Sequence, residues 1–182
     1  MPMISFLVAA VIVSFIAAVS DWKTGQIPDW LTLPVLVLAP IVHAAMAAGA
    51  GMNREDVGWA GASSVGGAML TGLVPFILYR QNAIGGGDLK LLAALGALCQ
   101  PSLGLELEMY GFATAIVVAP ARLAYDGKLL RTLRNTLDLM LNSIRPEKQR
   151  KAIEPEAMTW FRLGPCIFIG VCVTTAFHWG SK

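Results

Sequence analysis

Apolar runs of membrane-crossing length recur along this chain at residues 4–20, 31–50, 57–79, 89–104, 109–125 and 161–178. A helix needs about 20 apolar residues to cross the roughly 30 Å hydrocarbon layer of a bilayer. Inside that layer a spanning segment must satisfy its own backbone hydrogen bonds, which restricts it to helices or closed barrels. Composition agrees, since 55% of the 182 residues are hydrophobic and 14% charged, with a mean hydropathy of +0.61; soluble domains carry roughly 25% charged residues. The expected fold is all-α: a single membrane-embedded domain over residues 1–182, with about six transmembrane helices and no room for a separate soluble domain. Within the fourth run, Leu89 to Cys99 alone is short for a span and meets Gln100-Pro101, so it either continues through that pair to the far interface or forms a re-entrant piece. The first run has no Lys or Arg before it and no small-residue cleavage pattern ahead of Asp21, and is read as a retained helix.

Cytoplasmic loops carry an excess of Lys and Arg. With the amino terminus outside, 12 of the 14 basic residues fall on the cytoplasmic side and only Arg54 and Lys182 outside. The opposite orientation inverts the rule. All five tryptophans, Trp22, Trp30, Trp59, Trp160 and Trp179, fall near span ends, where indole suits the interface. In the third span, Gly58-Ala62-Gly66 and Ser64-Ala68-Gly72 have the spacing of close helix packing.

Between the fifth and sixth runs lies a polar excursion, residues 126–159. Leu129, Leu130, Leu133, Leu137, Met140, Leu141 and Ile144 recur there at helical steps, with Lys128, Arg131 and Arg134 elsewhere on the wheel, until Pro146 ends the pattern. Such an amphipathic segment fits the cytoplasmic leaflet or a helix packed on the other spans.

Two aspartates stand apart from ordinary surface charge. Asp21 closes the first apolar run, and Asp88 follows Gly85-Gly86-Gly87 at the head of the fourth. Ionisable groups in such positions are costly and point to function, although Asp21 beside Lys23 also fits a solvated interfacial charge. Brought together, the two would form a site that activates water for peptide hydrolysis. The three glycines leave room for an extended substrate backbone to approach and permit φ values closed to other residues. They do not form a nucleotide loop, because no Gly-Lys-Ser/Thr follows.

The combination of Asp21-Trp22-Lys23 with Ile27-Pro28-Asp29, and of Gly85-Gly86-Gly87-Asp88-Leu89-Lys90 two helices later, resembles the type IV prepilin peptidases, membrane aspartic proteases of the GxGD class. The resemblance is sharp over these two motifs and extends to most of the chain in topology. It implies that Asp21 and Asp88 are the catalytic pair, that Gly85, Gly86 and Gly87 form a substrate-approach loop, and that no cofactor or metal takes part. One carboxyl would keep its proton while the other takes a proton from a bound water that attacks the scissile carbonyl. The implied substrate is a prepilin or pseudopilin, a hydrophobic helix preceded by a short basic leader, cut at the cytoplasmic face of the inner membrane; the implied partners are that substrate and the lipid bilayer, with no nucleic acid. Asp29 stands where the family usually has Asn. Longer members carry a zinc-binding portion with paired CxxC motifs and also methylate the product. Here Cys99, Cys166 and Cys172 lie singly in apolar runs, which resembles the short, peptidase-only form of the Flp or tight-adherence pili. Two other classes compete: a proton-coupled carrier using Asp21, Asp88, Glu106, Glu108 or His43, and a non-enzymatic component of a pilus or secretion assembly. Against the carrier, Glu106 and Glu108 are expected to face headgroups, and His43 and His178 lack an evident partner. Signal peptide peptidases and presenilins share the Gly-x-Gly-Asp pattern, but their Tyr-Asp motif in mid-span is replaced here by Ser20-Asp21.

Overall fold

The computed structural model describes residues 2–125, 127, 130, 134 and 162–180. Among them the chain is helical throughout its regular structure: α1 (Pro2–Thr24), α2 (Asp29–Gly49), α3 (Arg54–Arg80), α4 (Gly86–Tyr125) and α5 (Gly164–His178). The first four are long and apolar enough to cross a membrane, and α5, with 15 residues, is a shorter apolar helix. The expected amphipathic segment at 126–159 falls almost wholly outside the described residues, as does Trp160. Trp22, Trp30, Trp59 and Trp179 are all exposed at or near helix ends, as interfacial indoles should be.

The fourth and fifth apolar runs emerge as one element, α4, whose 40 residues would reach about 60 Å if unbroken. It is broken at Gln100, which takes φ 61° and ψ 175°. The chain doubles back there. A Cβ on Gly104 would lie 3.1 Å from the Cα of Gly96, whereas eight residues along a continuous helix are separated by about 12 Å. The first limb, residues 86–99, is about 21 Å long and falls short of the full hydrocarbon layer.

Breaking a helix in an apolar setting frees carbonyls that must find donors. Ser64 Oγ donates to Ala97 O at 2.6 Å, and His43 Nε2 to Leu98 O at 3.0 Å. Gln100 itself donates from Nε2 to His43 Nδ1 at 3.2 Å, while the imidazole stacks on Phe6 with ring centroids 3.9 Å apart. His43 is therefore a fully engaged structural group, contrary to the expectation that it lacks a partner.

The first limb of α4 is the centre of the packing. Leu91, Leu92, Ala94, Leu95, Gly96, Ala97, Leu98 and Cys99 are all buried, the pattern of a helix apolar on every side. Across it runs α3, antiparallel, in close backbone contact: a Cβ on Gly67 or Gly96 would collide with the other strand of this pair, and Thr71 Oγ1 donates to Leu92 O at 3.0 Å. The small-residue stripe that matters is thus Ser64, Gly67 and Thr71, joined by Gly72. Gly58 and Gly66 face open space, so the first of the two expected stripes is not a packing seam. α1 packs on α5 and α2 on α3. Contacts of Asp21 with Gly164 and Phe15 with Phe168 make α1 and α5 antiparallel. Residues 116–161 form a second unit, described as helix as far as Tyr125.

This packing separates two glycines that look alike in sequence. Gly96→Ala should lower thermal stability in detergent by about 1–3 kcal/mol, because the added methyl meets backbone that cannot yield. Gly66→Ala should be neutral or slightly stabilising; unfolding midpoints of the purified variants check the contrast.

Candidate active site

α1 is apolar until its last turn, where Ser20, Asp21 and Thr24 close it. Thr24 Oγ1 donates to Ser20 O at 2.9 Å, and Gly25 N–H to Asp21 O at 2.9 Å with φ +70°, the left-handed conformation that ends many helices. The Asp21 side chain is buried. Its Oδ2 accepts the backbone N–H of Gly164 at 3.0 Å. Gly164 opens α5, whose N-cap residue, Leu163, has no capping side chain. The Asp21 carboxylate therefore satisfies one of the donors that every helix start leaves open. No larger residue fits at 164, since a Cβ there would lie 2.9 Å from both Cβ and Oδ2 of Asp21. Arg162 adds a positive charge within electrostatic range of Asp21.

Asp88 lies at the start of a helix, whereas Asp21 lies at the end of one. Gly85 precedes α4, and Asp88 in its first turn accepts the Gly85 N–H through Oδ2 at 3.3 Å. This is the reciprocal half of a capping box, in which an acid at the third helical position reaches back to the residue before the helix. Asp88 is half-buried.

Several contacts bring the two motifs to the same end of the bundle. A Cβ on Gly87 would lie 3.1 Å from Ile27 Cβ and 3.3 Å from Ile27 N, so the Ile27-Pro28 turn rests directly against the glycines. Lys90 Nζ pairs with Asp29 Oδ1 at 2.7 Å. Gly86 lies against the ring of Tyr79 at the end of α3. The charge of Asp21 acts on Asp88. Two helix starts, α5 capped by Asp21 from the last turn of α1 and α4 capped by Asp88 of its own first turn, thus lie at the same end of the bundle.

Gly86 and Gly87 belong to the first turn of α4 and only Gly85 precedes it, so the three do not form a loop. None of them has positive φ. Their contribution is steric: the absent side chains let Ile27 and Tyr79 close on the start of α4. Gly164 was not marked by sequence as a partner of Asp21. The available signal was Gly164-Pro165 immediately ahead of an apolar run, a helix start with no capping side chain of its own.

The remaining acids and imidazoles do not join this site. Glu106 pairs with His178 Nε2 at 2.8 Å, at the far end of α5 from Gly164. Glu108 is buried, with Oε1 lacking a hydrogen-bond partner among the described residues. Glu108 is covered by the fold and so departs from the expectation that it faces headgroups, and His178, expected to lack a partner, is paired. His43 is held at the Gln100 break by Leu98 and Gln100, and Glu106 by His178, partners other than Asp21 and Asp88. Among the described residues no group of three or more His, Cys, Asp or Glu side chains is disposed to hold a metal.

The family model for the type IV leader peptidase family matches residues 8–120. That stretch contains both aspartates, the Ile27-Pro28-Asp29 turn and the three glycines, and stops before Gly164. No curated protein and no solved structure matches the chain.

The contact between Asp21 and Gly164 is directly testable. Gly164→Ala should displace the Asp21 carboxylate and cost about 1–3 kcal/mol in detergent thermal unfolding, whereas alanine at Gly180, which faces open space, should leave the midpoint unchanged.

Proposed function

The chain belongs to the type IV leader peptidase family, and on that premise we propose that it is a membrane aspartic endopeptidase with Asp21 and Asp88 as its catalytic pair. Its substrates are type IV prepilins or pseudopilins of the Flp, tight-adherence kind, from which it removes the short basic leader at the cytoplasmic face of the inner membrane. The observation that carries this reading is the convergence of two carboxylates at one end of the bundle, each oriented by a backbone N–H at a helix start.

Two carboxylates closing on one water would share a proton, because ionising both sets two negative charges side by side. The ionised member takes a proton from a water held between them, and that water attacks the scissile carbonyl. The protonated member donates to the carbonyl oxygen as charge develops there. Gly164 and Gly85 each engage an Oδ2, so the second oxygen of each carboxylate is the one available to the water. Arg162, beside Asp21, adds positive potential where the reaction builds negative charge.

Cleavage at the membrane boundary, rather than within the bilayer, is supported by the position of both aspartates at helix termini. Lys23, Arg80, Lys90 and Arg162 gather at that same end and Arg54 begins α3 at the other, which supports a cytoplasmic active face. With the two limbs of α4 counted separately, the described helices supply six apolar segments, and the distribution of basic residues supports an amino terminus outside.

Asp21→Asn and Asp88→Asn should each leave membrane insertion intact and slow leader removal by about a hundred- to ten-thousand-fold, read with purified chain and a prepilin in detergent. Cleavage at wild-type rate by either variant rules out the pair.

A further inference from the structure

α1 and α2 follow one another in sequence, yet each packs on a different partner and they touch one another at few places. Two openings lie along the seam between them. At the end that holds Asp21 is a cleft of about 490 Å³, lined by Ser20 and Thr24 of α1 and by residues 26–30. Further along is a groove of about 380 Å³, walled by Ala9 and Val13 of α1 and by Pro34, Leu38 and Val42 of α2. The first is partly polar and the second almost wholly apolar.

Of the residues lining the polar cleft, Asp29 alone carries a charge. The hydroxyls there are already committed to backbone, Ser20 Oγ to Gln26 O at 3.0 Å and Thr24 Oγ1 to Ser20 O at 2.9 Å. Asp29 holds Lys90, and both side chains are substantially exposed, 58% and 40% respectively. An ion pair that is so wet contributes little to stability and exchanges readily for another cation.

We infer that this seam is the substrate's seat: Asp29 receives a basic side chain of the leader in exchange for Lys90, and the apolar groove receives the hydrophobic helix that follows. The inference rests on the peptidase reading for the identity of the occupant. The order of features along the seam, anionic cleft and then apolar groove, matches a basic leader followed by an apolar helix, and a helix laid in an apolar groove is a recurring mode of recognition. The registration is consistent with cleavage. Ser20, in the wall of the cleft, adjoins Asp21, and Ile27, in the same wall, rests on Gly87 beside Asp88. A junction between leader and helix at the cleft would lie at the end of the bundle that holds both aspartates, one residue along the chain from Asp21 at Ser20 and in contact with the start of α4 through Ile27. Asp29 is on this account a specificity-determining residue and not a catalytic one.

Exchange predicts opposite effects for the two partners of the ion pair, where a structural bridge predicts the same effect. The test measures binding of a synthetic peptide, leader plus hydrophobic helix, to full-length chain carrying Asp88→Asn in detergent. Asp29→Asn should weaken a peptide with Lys or Arg in its leader about five-fold and leave a Gln-substituted leader unaffected; Lys90→Gln should tighten the basic peptide. Equal losses on both peptides, or weakening by Lys90→Gln, overturn the assignment of Asp29. A benzophenone at position 38 should cross-link to the peptide's helix, and labelling of lipid alone overturns the groove. A wild-type chain that binds the peptide in this manner but does not cut it leaves the seat standing and removes the peptidase reading, so the two failures are distinct.

Discussion

The hydrogen bond from the Gly164 N–H to the Asp21 carboxylate is the contact on which the arrangement of this protein turns. A helix that starts among other helices at the edge of a bilayer exposes donors that neither lipid nor its own residues can satisfy. α5 begins with Leu163, Gly164 and Pro165, none of which offers a capping side chain. The acceptor comes instead from the last turn of α1, 143 residues earlier in the chain. The same bond fixes where α5 docks, closes the end of the bundle and aims a carboxylate. Asp88 repeats the solution within a single segment, reaching back to the Gly85 N–H at the start of α4.

The opposite problem, carbonyls without donors, arises at Gln100. There the helix gives way at the end of its most buried stretch, and donors to the freed carbonyls come from two other helices, Ser64 on α3 and His43 on α2, while Gln100 itself donates to His43 Nδ1 and fixes the imidazole. An imidazole with one nitrogen donating to Leu98 O and the other accepting from Gln100 carries its ring proton on Nε2, and its stacking on Phe6 ties α1 to the same point. The break lets the first limb of α4 stop short and turn, which is how its central position against α3 is compatible with a return toward α5, where Gly111 lies against Ile167.

The helical membrane character, the boundaries of α1, α2 and α3 to within a few residues, and the two aspartates as unusual charges were legible because each is a local property of the sequence: run length, hydropathy and interruption. What was not legible depends on which face meets which. Gly58, Gly66, Gly67 and Gly96 are alike as residues, yet only the last two meet across a helix pair. Glu106 and Glu108 were expected to face headgroups because they interrupt an apolar run near a presumed end; in the structure His178 reaches one and the fold covers the other. The glycines before Asp88 suggested a flexible loop, but they begin a helix, and their value is the space they leave for Ile27 and Tyr79. Asp29 was visible as an extra carboxylate; that its partner is Lys90, 61 residues away, required the fold.

Capping and the proposed hydrolysis ask different things of the same side chain. To hold α5, Asp21 needs only an oxygen that accepts an N–H, which an amide supplies nearly as well as a carboxylate. The proposed sharing of a proton with Asp88 needs a group that can ionise, which an amide cannot do. Loss of the acceptor altogether would leave the Gly164 N–H buried without a partner, at a cost of about 1–3 kcal/mol, and would loosen the end of the bundle where both carboxylates lie. The positions of the two aspartates are therefore specified by folding, through helix starts that lipid cannot solvate, and the proposed chemistry would draw on a geometry that the fold needs even if no substrate is present.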